Sequence, residues 1–439
     1  MKSFKLLTIM AASLVASTMT SVAFASAATF SDTGNSYALS EIQTLSNAGI
    51  LSGYKDGTFR PNHPMTREEF AVVLAKSLKL TPDASASSQF TDVDGWARPY
   101  VGALVNDKLT SGISATQFGA QHLISREQLA VFFIRALGEE NFARQMSLSP
   151  TFSDAKTIDE YAVPYVAIAQ KIGLLKGSAN SDGSFQLNPA QSADRQAVAR
   201  LAYEVYANAG SYQSRVDTMA KTLDILNKSN AAMEAEHSFQ MNVALHATGN
   251  GSPGQIHTQL ALEIDYTKQP AIIHAKGNVS ISADGNSGAN AQGTIPLEVY
   301  EVNGTVHILN PFTNTWDKQS ADGSLIPLPN FTQHQSEINM LAADLRATKT
   351  GDSYVLTGTL DDHEMNALMG GNDAIPQNVP GLHATPSTTN VTIVIDKHTN
   401  LLNSMTLELP PEANGSFAIT WSNYNNVAPI QVPQDVLHS

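Results

Sequence analysis

The run Thr66-Arg67-Glu68-Glu69 holds residue types that can bind a charged ligand. Thr66 reads as a helix N-cap, and Glu69 three residues later completes a capping-box pattern. Arg67 then stands in the first helical turn, beside unpaired backbone N–H groups. An arginine there faces the positive end of the helix dipole, which favours an anion. The chemistry on offer is anion recognition, with a guanidinium gripping a carboxylate through two parallel bonds. Pairing of Arg67 with Glu68 or Glu69 is the plainer alternative.

Other candidates for chemistry are weaker. Asp361-Asp362-His363-Glu364 is the densest titratable run, and an acidic helix start is its commoner meaning over a metal site. Of 12 histidines, most follow residue 230, yet there is no His-Glu-x-x-His. No Gly-x-Ser-x-Gly elbow, phosphate loop or Ser-x-x-Lys motif is found. Glu298 with Glu301 or Asp317 could form a glycosidase-like pair, a pattern any acidic β-rich chain offers. No catalytic set, cofactor or metal site is expected.

The element that positions Arg67 begins as a turn. Asp56-Gly57 supplies the reversal, and Pro61 and Pro64 keep the chain extended up to Thr66. A helix follows through Ala71, Leu74 and Leu78 at helical spacing. The order recurs. Phe30-Ser31-Asp32, Phe90-Thr91-Asp92 and Phe152-Ser153-Asp154 each open a unit; Tyr37, Trp96 and Tyr161 follow. Gly49-Ile50-Leu51-Ser52-Gly53, Gly112 and Gly173-Leu174-Leu175-Lys176-Gly177 come next. Thr66-Arg67-Glu68, Ser125-Arg126-Glu127 and Asp194-Arg195-Gln196 close the units. A period of about 60 residues with a helix–loop–helix in each unit predicts a stacked repeat array.

These motifs resemble the S-layer homology (SLH) domain over roughly residues 28–208. The resemblance implies an all-α spindle of three helical repeats, at 28–80, 88–140 and 150–208. It implies binding of pyruvylated secondary cell-wall polysaccharide attached to peptidoglycan. Carried over residue by residue, it places Arg67 and Glu69 with Asp32, Gly53 and Tyr54 in a first groove. It places Arg126 with Asp92, Trp96 and Gly112 in a second. The third unit departs: Gln196-Ala197 stands where the first has two glutamates, so that unit reads as structural. In the second, Ile113-Ser114-Ala115-Thr116 replaces the Tyr-Lys-Asp-Gly loop, which predicts weak binding there.

The bulk composition fits an exported, wall-bound protein. The 439 residues predict two to four domains. With no cysteine there are no disulfides, thiolate sites or lipidated N-terminal Cys. The net charge of −14 lies mostly after residue 210 and disfavours nucleic acid and anionic membranes. Lys2 and Lys5, an apolar stretch from Leu6 to Ala16 and Ala25-Ser26-Ala27 predict a signal peptide over 1–27. No other stretch is long and apolar enough for a transmembrane segment.

The carboxyl half has a different grammar. The expected boundary is Asn208-Ala209-Gly210-Ser211, followed by a helix from Asp217 to Met233. Period-two alternation in Phe239–Leu245, Leu260–Tyr266 and Ile273–Ile281 predicts strands with one face buried. Asn303-Gly304 predicts a hairpin, and Gln335–Arg346 a helix. Strands are expected at Tyr354–Thr357, Val391–Asp396, Leu402–Leu409 and Ser416–Tyr424. The fold expected for 215–439 is α+β, a curved antiparallel sheet with covering helices. The leading helix, long strands, Asn-Gly hairpin, Trp316 and Ile395-Asp396-Lys397 resemble LolA/LppX-like lipoprotein carriers. That resemblance implies a half-barrel holding a lipid, lipoprotein or other apolar ligand. Two function classes follow: a non-enzymatic wall-anchored binding protein, or a wall-anchored hydrolase of envelope glycan or lipid.

Overall fold

The computed structural model describes residues 30–250, 254–285, 291–320, 335–361, 364–365, 368, 388–408 and 414–438. The expected signal peptide lies outside them, as do Asp362 and His363.

The amino-terminal half is built from short helices whose apolar faces meet in one core. The first unit holds α1 (Leu39–Asn47) and α2 (Arg67–Ser77). The second holds α3 (Arg98–Asn106), α4 (Arg126–Ala136) and α5 (Glu140–Met146). The third holds α6 (Val163–Lys171), a ribbon of β1 (Ser178–Ala179) and β2 (Phe185–Gln186), and the start of α7 (Arg195–Ala235). The ribbon means that this half is not wholly α-helical. Residues 138–151, which join the second and third units, contain α5, because Ala143 and Met146 turn inward to full burial.

The predicted caps form. Thr66 Oγ1 accepts from Glu69 N, and Glu69 Oε2 accepts from Thr66 N at 2.9 Å. Ser125 and Gln128 repeat the pattern, and Asp194 Oδ1 accepts from Ala197 N. Each cap adds about 1 kcal/mol to its helix.

The three units close on themselves. Met65 N donates to Ala193 O, Ala193 N to Ile124 O, and Ile124 N to Met65 O, all at 2.8–3.1 Å. These three side chains are buried together, so the ring is dry at its centre.

The expected break at Asn208–Ser211 does not occur. Helix α7 runs 41 residues without interruption, about 60 Å at 1.5 Å per residue. Its first turns complete the third unit. Its later turns bury Val216, Met219, Leu223 and Leu226. Propensity at Gly210 argues for a stop, but packing on both sides overrides it.

Beyond α7 the chain forms one antiparallel sheet. Its strands are β3 (Ser238–Asn250), β4 (Gly254–Lys268), β5 (Ala271–Gly285), β6 (Ala291–Val302), β7 (Thr305–Asn310), β8 (Thr315–Ser320), β9 (Arg346–Thr350), β10 (Ser353–Leu360), β11 (Thr389–Asp396), β12 (Leu402–Glu408) and β13 (Ser416–Ser422). The order across the sheet is β8-β7-β6-β5-β4-β3-β13-β12-β11-β10-β9. Asn303 and Gly304 both take positive φ in the β6–β7 hairpin, as the dipeptide predicted. The register puts Met241, Leu262's neighbour Val243, Ile264, Ala275 and Val299 on one buried face. Helix α7 packs on β9, and α8 (Gln335–Asp344) packs on β10 and on α7. A last short helix, α9 (Gln434–Leu437), buries Val436 completely.

The halves share a joint. Lys171 Nζ of α6 reaches both oxygens of Asp344 at 2.7 and 2.8 Å, and Glu364 Oε1 at 3.3 Å. Asn339 Nδ2 of α8 donates to Met146 O at 2.9 Å.

Candidate functional site: grooves between the repeat units

Each unit contains one acidic clamp. Asp32 accepts from the amides of Phe59 and Arg60, both at 2.8 Å. Asp92 accepts from Phe118, Gly119 and Ala120, and Asp154 from Leu187 and Asn188. The second clamped residue has positive φ in every unit: Arg60, Gly119 and Asn188. Three backbone donors hold the Asp92 carboxyl below its usual range, against the opposing effect of its burial. Asp32 and Asp92 therefore shape the loops, with their oxygens occupied by their own units.

The glycines have an equally local reason. A Cβ on Gly53 would lie 2.3 Å from the Phe30 ring, and one on Gly112 2.4 Å from the Phe90 ring. Gly177 stands in the same relation to Phe152. Only hydrogen fits between ring and backbone there.

The arginines cross between units. Arg67 Nε donates to Phe118 O of the second unit at 2.9 Å. Arg126 Nε donates to Leu187 O of the third at 2.6 Å. Arg195 Nε donates to Phe59 O of the first at 2.8 Å, closing the cycle. The residue after each arginine crosses too. Glu68 accepts from Asp94 N and Gln121 Nε2, Glu127 accepts from Asp159 N, and Gln196 Oε1 accepts from Ser36 Oγ. Burial raises the carboxyls of Glu68 and Glu127. Gln196 thus performs the cross-unit job of its acidic counterparts.

Two sequence expectations change. The backbone donors at the helix starts are taken: Arg67 N by His122 O, Arg126 N by Gln191 O, Arg195 N by His63 O. The helix dipole therefore meets a neighbouring carbonyl rather than an open anion site. The grooves are also assembled differently. Arg67 is not brought to Asp32, Gly53 and Tyr54, nor Arg126 to Asp92 and Gly112. Arg67 lies with the clamped loop of Asp92, its guanidinium 4.9 Å from the centroids of both Phe118 and Phe132. Tyr54 and Asp32 lie with Arg195. Each groove takes its arginine from one unit and its loop from the next.

A third unit reaches in with an aromatic residue. Tyr161 interacts with Arg67, and Tyr37 with Arg126. Tyr37, Trp96 and Tyr161 occupy equivalent places and are 62%, 52% and 50% exposed. Trp96 Nε1 points to Asp94 at 3.4 Å. Glu69 is held in its capping box, and its charge favours the Arg195 guanidinium rather than that of Arg67.

Burial pulls the Arg67 guanidinium down to about 10, and lowers that of Arg195 as well. Both stay charged at neutral pH. Among the described residues, neither terminal nitrogen of Arg67 or Arg126, nor Nη1 of Arg195, has a protein acceptor. Sequence reasoning missed Phe118, Phe132 and Tyr161 beside Arg67, because a single repeat read alone does not reveal that its loop serves its neighbour's arginine.

Residues 29–71 and 89–130 match the S-layer homology domain family. The first two units are S-layer homology domains. The third repeats their clamp, glycine and crossing arginine. Residues 221–439 match a family of unknown function, DUF6612. The chain is 29% identical over 218 residues to the surface-layer 125 kDa protein of Lysinibacillus sphaericus, covering 49% of this chain and 18% of that one. It is 32% identical over 118 residues to the cellulosome-anchoring protein of Acetivibrio thermocellus, covering 26% of each. The chain thus spans about a quarter or less of these relatives. The carboxyl half is similar to lipoprotein LppX of Mycobacterium tuberculosis at 18% identity and a TM-score of 0.29, covering 48% of this chain and 99% of that one. S-layer homology domains mark the chain as an exported protein of the cell surface. No helix among the described residues is long and apolar enough to cross a membrane.

The sheet half offers two polar clusters on its outer face. His274 stacks on Tyr300 at 4.3 Å and meets Glu298 at 3.0 Å, while Trp316 Nε1 donates to Asp435 at 3.2 Å. At the far end of the strands, Thr248 Oγ1 is 3.0 Å from His257 Nδ1, and His257 Nε2 is 3.2 Å from Asp284. On the other face, Ile281 and Ile295 are 45% and 42% exposed, beyond the reach of the buried apolar stretch.

Proposed function

We propose that the amino-terminal half anchors the protein non-covalently to the cell wall by binding pyruvylated secondary polysaccharide in the inter-unit grooves. The supporting observation is the groove itself, an arginine with at least one terminal nitrogen unpaired among the described residues, beside an exposed aromatic ring. A ketal carboxylate on a sugar suits both parts. The guanidinium takes the carboxylate and the ring covers an apolar sugar face. The carboxyl half is carried as a binding domain without catalytic function. Its apolar sheet face, open at Ile281 and Ile295, suits an acyl chain or another apolar envelope component.

The test is co-sedimentation of the protein with purified sacculi, before and after extraction of the secondary polysaccharide. Binding that disappears on extraction supports the reading, and binding indifferent to extraction refutes it. A wall-anchored hydrolase is the second reading, favoured by the hydroxyl–imidazole–carboxylate line of Thr248, His257 and Asp284. It predicts turnover of activated esters that His257→Ala abolishes.

A further inference from the structure

The three grooves differ at one backbone position. The clamped residue with positive φ is glycine in the second unit and asparagine in the third, the two residue types that tolerate this conformation best. In the first unit it is Arg60, at φ 58°. An arginine there places a long cationic side chain where its counterparts have little or none.

That side chain is held, not loose. Its guanidinium lies 3.9 Å from the centroid of the Tyr54 ring. Nη2 pairs with Asp56 at 2.9 Å, and Nε donates to Thr58 Oγ1 at 3.3 Å. The Arg195 guanidinium lies over the same ring, 5.2 Å from its centroid, with Nη2 donating to Ser52 O at 2.7 Å. One tyrosine therefore carries two guanidinium groups from two different units. Arg60 opposes the charge on Arg195, which Tyr54, Glu69 and Asp32 favour, while Asp56 holds Arg60 charged. Among the described residues, Nη1 of each has no protein acceptor. With Asp56 already paired to Arg60, these two Nη1 groups are the donors left to an incoming anion. Among the described residues a single guanidinium, that of Arg67, lies over Phe118, with Arg135 opposing its charge.

We propose that the groove between the third and first units is the principal acidic-saccharide site, and that Arg60 determines its preference for the anionic group. This rests on the polysaccharide reading above. Arg195 supplies the buried, fixed cation. Arg60 supplies a partly exposed one, 44% by side chain, at the groove mouth. The unit with the least typical motif and the unit with the most typical one thus make a single site.

The test compares the full chain with its Arg60→Gly variant on three preparations of sacculi: intact, stripped of secondary polysaccharide with hydrofluoric acid, and depyruvylated with mild acid. Arg60→Gly leaves the backbone contacts of the loop in place and relieves the left-handed strain, so its thermal midpoint stays equal or rises. On intact sacculi the variant is expected to bind at least ten-fold more weakly, with a shallower dependence on salt. On depyruvylated sacculi the two proteins are expected to bind alike. Equal binding of both proteins to intact sacculi would overturn the role of Arg60 while leaving wall anchoring intact. A difference that survives depyruvylation would assign Arg60 to another anion of the polymer and overturn its preference for the carboxylate. Wild-type binding that is unchanged on stripped sacculi would instead refute the polysaccharide reading itself.

Discussion

The two halves of the chain are stabilised in opposite ways. In the repeat half, side-chain and backbone groups of one unit complete the next: each crossing arginine, each residue after it and each helix-start amide finds its partner in a neighbouring unit. In the sheet half, strand pairs with strand in sequence order, and only β3 with β13 and β8's distance from β9 record the folding-over of the chain. Function follows the difference. A cyclic arrangement makes composite grooves at every junction, while a sheet offers a face. Repeats therefore yield sites that no single unit contains.

Mutation can break this contrast most sharply at the crossing arginines. Arg195→Ala removes the donor to Phe59 O and Ser52 O and leaves both carbonyls without it. The expected loss is about 3 kcal/mol. Thermal unfolding should show it as a lower midpoint of the repeat half, and an unchanged midpoint would deny the cyclic closure. The joint comes next. Lys171→Met leaves Asp344 and Glu364 facing each other without their cation, at a cost of about 2 kcal/mol. Separate melting of the two halves in calorimetry is the expected signature, against a single transition in the parent.

Glu364 sharpens the same joint through pH. Its burial, reinforced by Asp344, raises its carboxyl above the ordinary value despite Lys171. A carboxyl raised in the folded state is protonated more readily there than in the unfolded chain. Stability from this group therefore increases as pH falls through its folded value, and is lost as pH rises through it. Relative to Glu364→Gln, the parent should gain midpoint between neutral pH and about pH 5. The opposite slope would show that Lys171 outweighs burial. The smallest effect is at Gly210, an interior residue of α7 with open space around its Cβ position. Gly210→Ala should add about 0.5–1 kcal/mol by helix propensity. Destabilisation would mean that the helix bends there in solution.

Much of the architecture was readable from residue order. The capping box at Thr66, the Asn303-Gly304 turn and the alternating strands all depend on neighbours close in sequence, and they stand where expected. Helix α7 was read as two pieces because propensity at Asn208–Ser211 is local, whereas the packing that carries the helix through is not. The site was half readable. Arg67, Arg126 and Arg195 were identifiable by type and register, but their partners lie 51 to 136 residues away. A repeat motif defines what each unit contributes, and only the closed ring defines to whom. That is why Tyr54 and Asp32 were assigned to Arg67, when the chain gives them to Arg195.

The most direct test is amide hydrogen exchange of the full chain with and without isolated secondary wall polysaccharide. The account predicts protection that appears jointly in residues 52–60 of the first unit and 195–198 of the third. Protection confined to residues of a single repeat, such as 52–69 without 195–198, would contradict it.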